Sequence, residues 1–228
     1  MTQAQKRMRR RLDPEARRES ILDHAADIVS AEGVAALSME RIGREAGVSK
    51  SLVYVYFPSQ TELLKALLQR ELRRLRRRQA AAADAAQTFE QLVRAVTHAY
   101  LSYIQERGLL IHRLQSEPSV SGGSTDPTQY SRDAAVSYLA EIVSDNFGIP
   151  MELAVPATDV SFGLPSAAGA YLDREDVDFE MLEEMTVTMI IGSFTALEQN
   201  YAIKHKRLTR RDPRSGDAKR KGSRRKSK

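Results

Sequence analysis

The sequence predicts an all-α protein, with an N-terminal three-helix head containing a helix-turn-helix and a larger C-terminal helical domain. Three observations lead there. Apolar residues recur at three- and four-residue spacing along most of the chain. The composition is aliphatic and alanine-rich, with only 12 glycines and 8 prolines in 228 residues, which favours helices over a sandwich or barrel. Residues 43–57, GREAGVSKSLVYVYF, break an amphipathic helix at Gly47-Val48 and start another short helix at once.

The elements follow in order. Residues 1–13 are arginine-rich, lack an apolar stripe and are predicted to be a disordered basic arm. From Pro14 the spacing of Ile21, Leu22, Ala25, Ile28 and Val29 predicts a first helix, stopped by Gly33. Ser38 offers an N-cap oxygen to a second helix, whose apolar face is Met39, Ile42 and Ala46. Gly47 breaks that helix and Val48 plugs the core. Ser49 opens a third helix that ends near Phe57. Pro58 prevents continuation. Ser59 and Glu62 then form a capping-box pattern for a leucine-rich fourth helix that runs into RRLRRR at 73–78. The head is thus assigned to 14–58.

A second, larger helical domain is assigned to 59–204. Thr88 caps a helix carrying Phe89, Leu92, Val93, Val96, Tyr100 and Ile104, with Gly108 as its expected end. Residues 116–126, SEPSVSGGSTD, read as a loop, and a long helix is expected over 127–147. Pro156 and Pro165 are expected to kink or split residues 151–172. A last helix over about 178–203 begins at Asp178. Met185, Met189, Ile190, Phe194 and Leu197 form its stripe, widened by Val187, Ile191 and Tyr201. A helix apolar on most sides must be buried on most sides. Met185 and Met189, with Gly192 and Ala196 small enough for close backbone approach, are therefore expected at a homodimer interface; a central core helix of a monomer is the alternative.

Charge is unevenly spread. Residues 1–18 hold seven Lys/Arg against two acids, and 205–228 hold twelve against two, whereas 19–204 hold 16 basic and 26 acidic residues. Two basic arms on an acidic body suit an anionic partner, and equally suit solvated tails. There is no cysteine, which excludes disulfides and thiolate chemistry. No uninterrupted apolar stretch reaches the roughly 20 residues a membrane span needs, and no secretion signal follows the basic N-terminus. A cytoplasmic protein is expected. The histidines at 24, 98, 112 and 205 lack metal-ligand spacing and no glycine-rich phosphate loop occurs, so neither an enzyme nor a metal or cofactor site is indicated.

The chemistry around the turn fits insertion of the third helix into a major groove of double-stranded DNA. Lys50, Ser51 and Leu52 sit at its start, where side chains reach base edges, a thymine methyl or phosphates. Tyr54 and Tyr56 can place hydroxyls on backbone phosphates on either side of the groove. Two short helices around a glycine turn also occur in ordinary bundles, where both tyrosines would be core.

The stretch from Arg18 to Leu68, RESILDHAADIVSAEGVAALSMERIGREAGVSKSLVYVYFPSQTELLKALL, resembles the N-terminal domain of TetR-family transcriptional regulators. The matching features are Glu32-Gly33, Ser38, Ile42, the Ala46-Gly47-Val48-Ser49 turn, the YxYF run at 54–57 and the leucine-rich fourth helix. The resemblance implies a homodimer in which each subunit carries a DNA-reading head and a ligand domain. It also implies a four-helix dimer bundle and release of a palindromic operator by a small effector. Lys50, Ser51 and Leu52 would read bases, with Ser49 near the helix start. Ser38, Tyr54 and Tyr56 would hold phosphates. Two positions depart from common family choices: Gln60 stands where many relatives have lysine, and Val55 leaves the middle of the YxY run apolar.

Candidates for an effector pocket are Tyr100, Tyr103, His112, Gln115, Tyr138, Phe147, Phe162 and Tyr171, which combine apolar walls with polar handles, although each also suits core packing. The expected effector is a mostly apolar small molecule. A sequence-independent architectural DNA-binding dimer is the competing reading; a palindromic footprint separates the two.

Overall fold

Each helix of the head begins where a short hydroxyl side chain can satisfy an orphan amide, the first helix excepted. The structure, a computed structural model, describes residues 13–121, 127–172 and 177–209. It contains ten α-helices and no strand among them: α1 Pro14–Glu32, α2 Met39–Glu45, α3 Lys50–Tyr56, α4 Gln60–Asp84, α5 Phe89–Gln115, α6 Pro118–Ser121, α7 Pro127–Phe147, α8 Met151–Ser161, α9 Gly163–Gly169 and α10 Phe179–Thr209. The Oγ atoms of Ser38, Ser49 and Ser59 accept from the amides of Arg41, Leu52 and Glu62 at 3.2, 3.2 and 3.1 Å. Thr88 does the same for Gln91 at 3.2 Å, and Asp178 for Met181 at 2.8 Å. The Glu62 carboxylate meets Lys65 at 3.3 Å. Most of the expected basic arm, and the tail from 210, lie outside the described residues, as does the 122–126 part of the expected loop.

The core of the head closes around Ile21, Leu22, Val29, Ile42, Val53 and Phe57, all nearly or fully buried. It is completed by Leu63, Leu64 and Leu67 of α4 and by Leu110 and Leu114 of α5. This explains a correction to the sequence reading. Gly108 does not end the fifth helix, which runs through it to Gln115. The turns beyond Gly108 carry the two leucines that seal the head, each worth about 1.5–3 kcal/mol when buried. The glycine itself sits against Ile104, whose Cγ2 would lie 3.0 Å from an added Cβ.

In the body, α5, α7, α8 and α10 share a second core of Val93, Val143, Ile149, Val187, Ile190 and Phe194. Pro165 falls in the first turn of α9, where no helical amide is lost, whereas Pro156 sits inside α8 and does not split it. The last helix is longer than expected and ends at Thr209. Its sequence stripe divides in two. Ile190 and Phe194 face the core, while Met185 and Met189 are half exposed. No helix among the described residues is long and apolar enough to cross a membrane.

Head and body meet at a buried carboxylate. Glu71 of α4 is fully buried and accepts from Tyr103 Oη (2.8 Å), Arg107 Nε (3.1 Å) and Arg70 Nε (3.1 Å). Arg70, 3% exposed, reaches on to α1, donating to Asp23 Oδ1 at 2.8 Å and to the Leu22 carbonyl at 3.3 Å. Arg113 of α5 caps the end of α1, with Nη1 2.7 Å from both the Val29 and Ser30 carbonyls. Burial pushes the Glu71 carboxyl up, but hydrogen bonds from Arg107 and Tyr103 and the charges of Arg107 and Arg70 outweigh it and hold the group below its ordinary range. Burial and the bond to Glu71 keep the Tyr103 phenol neutral well above its usual range.

Removing Glu71 takes from Arg107 its paired carboxylate and leaves Arg70 with Asp23 and Glu19, so Glu71→Ala is expected to destabilise the chain by about 3–5 kcal/mol, measured by urea unfolding. The carboxyl titrates below its unfolded value. Its stabilisation is therefore complete above the ordinary carboxylate range and is lost as pH falls through the lowered value. Between about pH 7 and about pH 3 the unfolding midpoint of the native chain should fall further than that of Glu71→Gln.

Candidate nucleic-acid interface and ligand cavity

The turn between α2 and α3 is tight because two glycines make it so. Gly47 has φ +66°, a left-handed conformation that other residues adopt at a cost. A Cβ on Gly43 would lie 3.0 Å from the Val48 carbonyl oxygen and 3.3 Å from the Lys50 amide nitrogen. The first turn of α3 thus rests directly on the backbone of α2, and the Val48 amide donates to the Gly43 carbonyl at 2.8 Å. Arg41 braces the other side of α2, holding Glu32 at the end of α1, Glu45 at 3.0 Å and the Ala36 carbonyl at 3.3 Å.

Val53 and Phe57 anchor α3 from behind, at 0 and 2% exposure. The opposite side presents Lys50, Ser51, Tyr54 and Val55 to solvent, with Val55 76% exposed. Leu52 is half-buried, and Tyr56 packs against the head core with only part of its surface free. Ser38, Lys50 and Tyr54 surround one surface concavity together with Glu40, Ser59 and Gln60. Ser38 and Ser49 use an oxygen lone pair to cap their helices, which leaves each hydroxyl proton available to donate.

The residue that sequence reasoning missed here is Glu40. Its Oε2 lies 3.7 Å from Lys50 Nζ, and both side chains are exposed. The available signal was its place in the first turn of the helix that Ser38 caps, beside a proposed phosphate contact.

The second site is a cavity of about 240 Å³ between α4, α5, α7, α8, α9 and α10. Phe89, Leu92, Val93, Val143, Ile190 and Phe194 form much of its wall, and Gln79, Tyr100, Arg132, Thr158, Phe162 and Ser166 also line it. Two of the residues picked from sequence, Tyr100 and Phe162, are among them. Burial raises the Tyr100 phenol, and a hydrogen bond with Ser166 opposes that rise.

The other six lie elsewhere. Tyr103 is spent on Glu71 at the head–body junction. His112 and Gln115 are exposed on the last turns of α5, which pack towards the head rather than the cavity. Tyr138 and Tyr171 face outward at 56 and 46% exposure. Phe147 stands behind the wall, edge-on to Phe89 at 4.9 Å and stacked on Phe194 at 5.7 Å.

A solvent-facing helix, locked by a glycine turn onto a small head and carried on a larger helical body, is the arrangement of a helix-turn-helix protein. Comparisons agree. Residues 21–67 match the family model described as bacterial regulatory proteins, tetR family. The HTH-type transcriptional regulator BetI of Rhizobium meliloti is 38% identical over 80 residues, 35% of this chain and 39% of that protein. The chain therefore aligns with well under half of that curated relative's length. A TetR-family regulator from Streptomyces coelicolor superposes with a TM-score of 0.65 at 22% identity, over 88% of this chain and 89% of that one. A TetR-like regulator from Rhodococcus sp. RHA1 gives 0.59 at 21%, over 79% and 96%. The family match thus covers residues 21–67, and over the rest of the chain the likeness to these solved structures is one of fold.

The turn geometry makes a direct prediction. Gly43→Ala must lift α3 off α2 by a few tenths of an ångström, so DNA affinity should fall at least tenfold while the unfolding free energy changes by about 1–3 kcal/mol. Fluorescence anisotropy and urea titration on the same preparation check both.

Proposed function

We propose that two copies of the chain act as a ligand-responsive repressor in the cytoplasm, reading a palindromic operator with their paired α3 helices. The observation that carries this reading is the exposed set of Lys50, Ser51 and Tyr54 on a helix whose opposite face is fully committed to the core. Lys50 and Ser51 read base edges, with Leu52 at their side. Ser38, Ser49, Tyr54 and Tyr56 position the head on phosphates. Glu40 holds Lys50 in the free protein through an exposed pair that contributes little to stability and yields readily to DNA.

The second copy covers the outer face of α10. Met181, Met185 and Met189 recur there at four-residue spacing with 62, 49 and 50% exposure. Gly192 and Ala196 continue the line, and an added Cβ on Gly192 would meet nothing within 4 Å, which leaves room for another backbone. An apolar stripe of this kind suits a two-fold interface in which each helix packs on its own copy. A molecule in the cavity releases DNA when it binds more tightly to the dimer conformer whose two heads no longer match successive major grooves.

Selection of bound sequences from a random DNA pool tests the reading. A palindrome should emerge; enrichment of no sequence would favour an architectural DNA-binding dimer instead. Lys50→Ala should change the selected bases, whereas Tyr54→Ala should weaken all sites alike. Deletion of residues 1–11, whose arginines lie outside the described residues, should make binding less sensitive to salt. The slope of log affinity against log salt should become shallower by about 0.9 for each phosphate that the arm neutralises. Met185→Glu with Met189→Glu should give a monomer by sedimentation and lower operator affinity at least a hundredfold; a persistent dimer would relocate the interface.

A further inference from the structure

We infer that the cavity takes a small, electrically neutral, largely apolar molecule whose one hydrogen-bond acceptor is met by the Thr158 hydroxyl, and that it does not take an anion. The inference rests on the effector reading above and adds the chemistry of the ligand. Size is the first constraint. At about 240 Å³ the cavity falls just under the roughly 300–1,000 Å³ that holds a drug-sized ligand.

Charge is the second constraint. Among the described residues Arg132 is the one cation in the lining, and it is already committed. Its guanidinium meets the Asp159 carboxylate at 2.9 and 3.0 Å, donates to the Asp159 carbonyl at 3.2 Å and lies 5.4 Å from the centre of the Phe162 ring. A ligand carboxylate would have to displace Asp159 or enter without a counter-charge, and an unpaired charge between phenylalanine and valine walls is strongly disfavoured. Tyr100, the other ionisable group of the lining, is held neutral by burial. An anion would have to compete with Asp159, which holds Arg132 by contacts of 2.9, 3.0 and 3.2 Å where Lys50 has one 3.7 Å contact with Glu40.

Hydrogen bonding is the third constraint. Thr158 lines the cavity at 3% exposure, and its hydroxyl oxygen is buried with no hydrogen-bond partner among the described residues. Hydroxyls in comparable helical positions are spent on the carbonyl one turn back: Ser161 on Ala157 at 2.8 Å and Thr186 on Leu182 at 2.7 Å. Thr158 breaks that habit at a place where the helix borders a cavity. A buried hydroxyl left unpaired is unfavourable, and an acceptor on a bound ligand relieves it.

The test uses the full chain and two matched pairs of probes, methyl benzoate with benzoate and 2-octanone with octanoate, with toluene as an apolar control. Binding is read by isothermal titration and by the shift in melting temperature. The ester and the ketone should bind and raise the melting temperature, while the carboxylates should bind at least tenfold more weakly. Thr158→Val should weaken the ester and ketone about fivefold but not toluene, and Thr158→Ser should restore the difference. Tighter binding of either carboxylate, lost in Arg132→Ala, would overturn the inference. So would failure of both neutral probes to bind, or an unchanged ester-to-toluene ratio in Thr158→Val.

Operator binding is measured separately in the presence of each probe. Neutral probes that bind without changing operator affinity would support the ligand chemistry and sink the effector reading. Carboxylates that bind and release DNA would do the reverse.

Discussion

The fold turns on one buried carboxylate. Glu71 has no route to water, and the groups that neutralise it come from α5 of the body and, through Arg70, from contacts with the first helix of the head. A buried charge is tolerable only while all its partners stay in place. Helix α4 therefore cannot slide along α5 without losing Tyr103 and Arg107, and cannot rotate against α1 without pulling Arg70 from Asp23 and the Leu22 carbonyl. An apolar junction would let the head drift in small steps. A charged one permits only arrangements in which every partner is re-made, and so favours discrete positions of the head.

The same helices line the cavity. Gln79 of α4 and Tyr100 of α5 border it, and the nearby Arg78 and Tyr103 belong to the junction. Arg78 stacks on the Tyr103 ring at 4.9 Å and pairs with Glu106 at 3.0 Å, which ties α4 to α5 between the two sites. A ligand that spreads these helices by a fraction of an ångström meets a close-packed, hydrogen-bonded layer rather than a compliant one. On the proposed effector reading, what would reach the head is a change in how α4 seats on α1. The glycine turn would then carry that change to α3 as a rigid unit, because Gly43 leaves no slack between the two helices.

How much of this could be read from the chain follows from the range of the interactions. The caps at Ser38, Ser49, Ser59 and Thr88 and the turn at Gly47 are local, since a hydroxyl or a left-handed glycine acts within three residues. Gly108 looks like a stop by the same logic, yet contacts from far along the chain override it, because Leu110 and Leu114 are needed under the head. Glu71 was hidden for a different reason. In QRELRRLRRR it reads as one charge in a solvated run, and only the tertiary packing of α1 and α5 removes the water. The cavity was the least legible feature. Aromatic and polar residue types suggest candidates, but six helices decide which of them face inward, so Tyr100 and Phe162 line it while Tyr138 and Tyr171 face solvent.

The distribution of paired and unpaired charge differs between the two ends of the molecule, which bears on the proposed contact with an anionic partner. Residues 59–204 carry 20 acids against 13 bases, so the body as a whole repels a phosphate backbone. Within it, several arginines that would otherwise offset this are committed: Arg70, Arg74 and Arg107 to Glu71, Arg78 to Glu106, Arg94 to Glu184 and Arg132 to Asp159. On the recognition helix the situation reverses. Lys50 has the 3.7 Å contact with Glu40, in full view of solvent, where the pair is screened and easily exchanged. Phosphates close to α3 would have to break one 3.7 Å contact to recruit a cation, whereas phosphates close to Arg78, Arg107 or Arg132 would have to break pairs closed to 3.0, 3.1 and 2.9 Å. On the proposed reading, the specificity of the head depends on the self-neutralisation of the rest of the chain as much as on the residues that α3 presents.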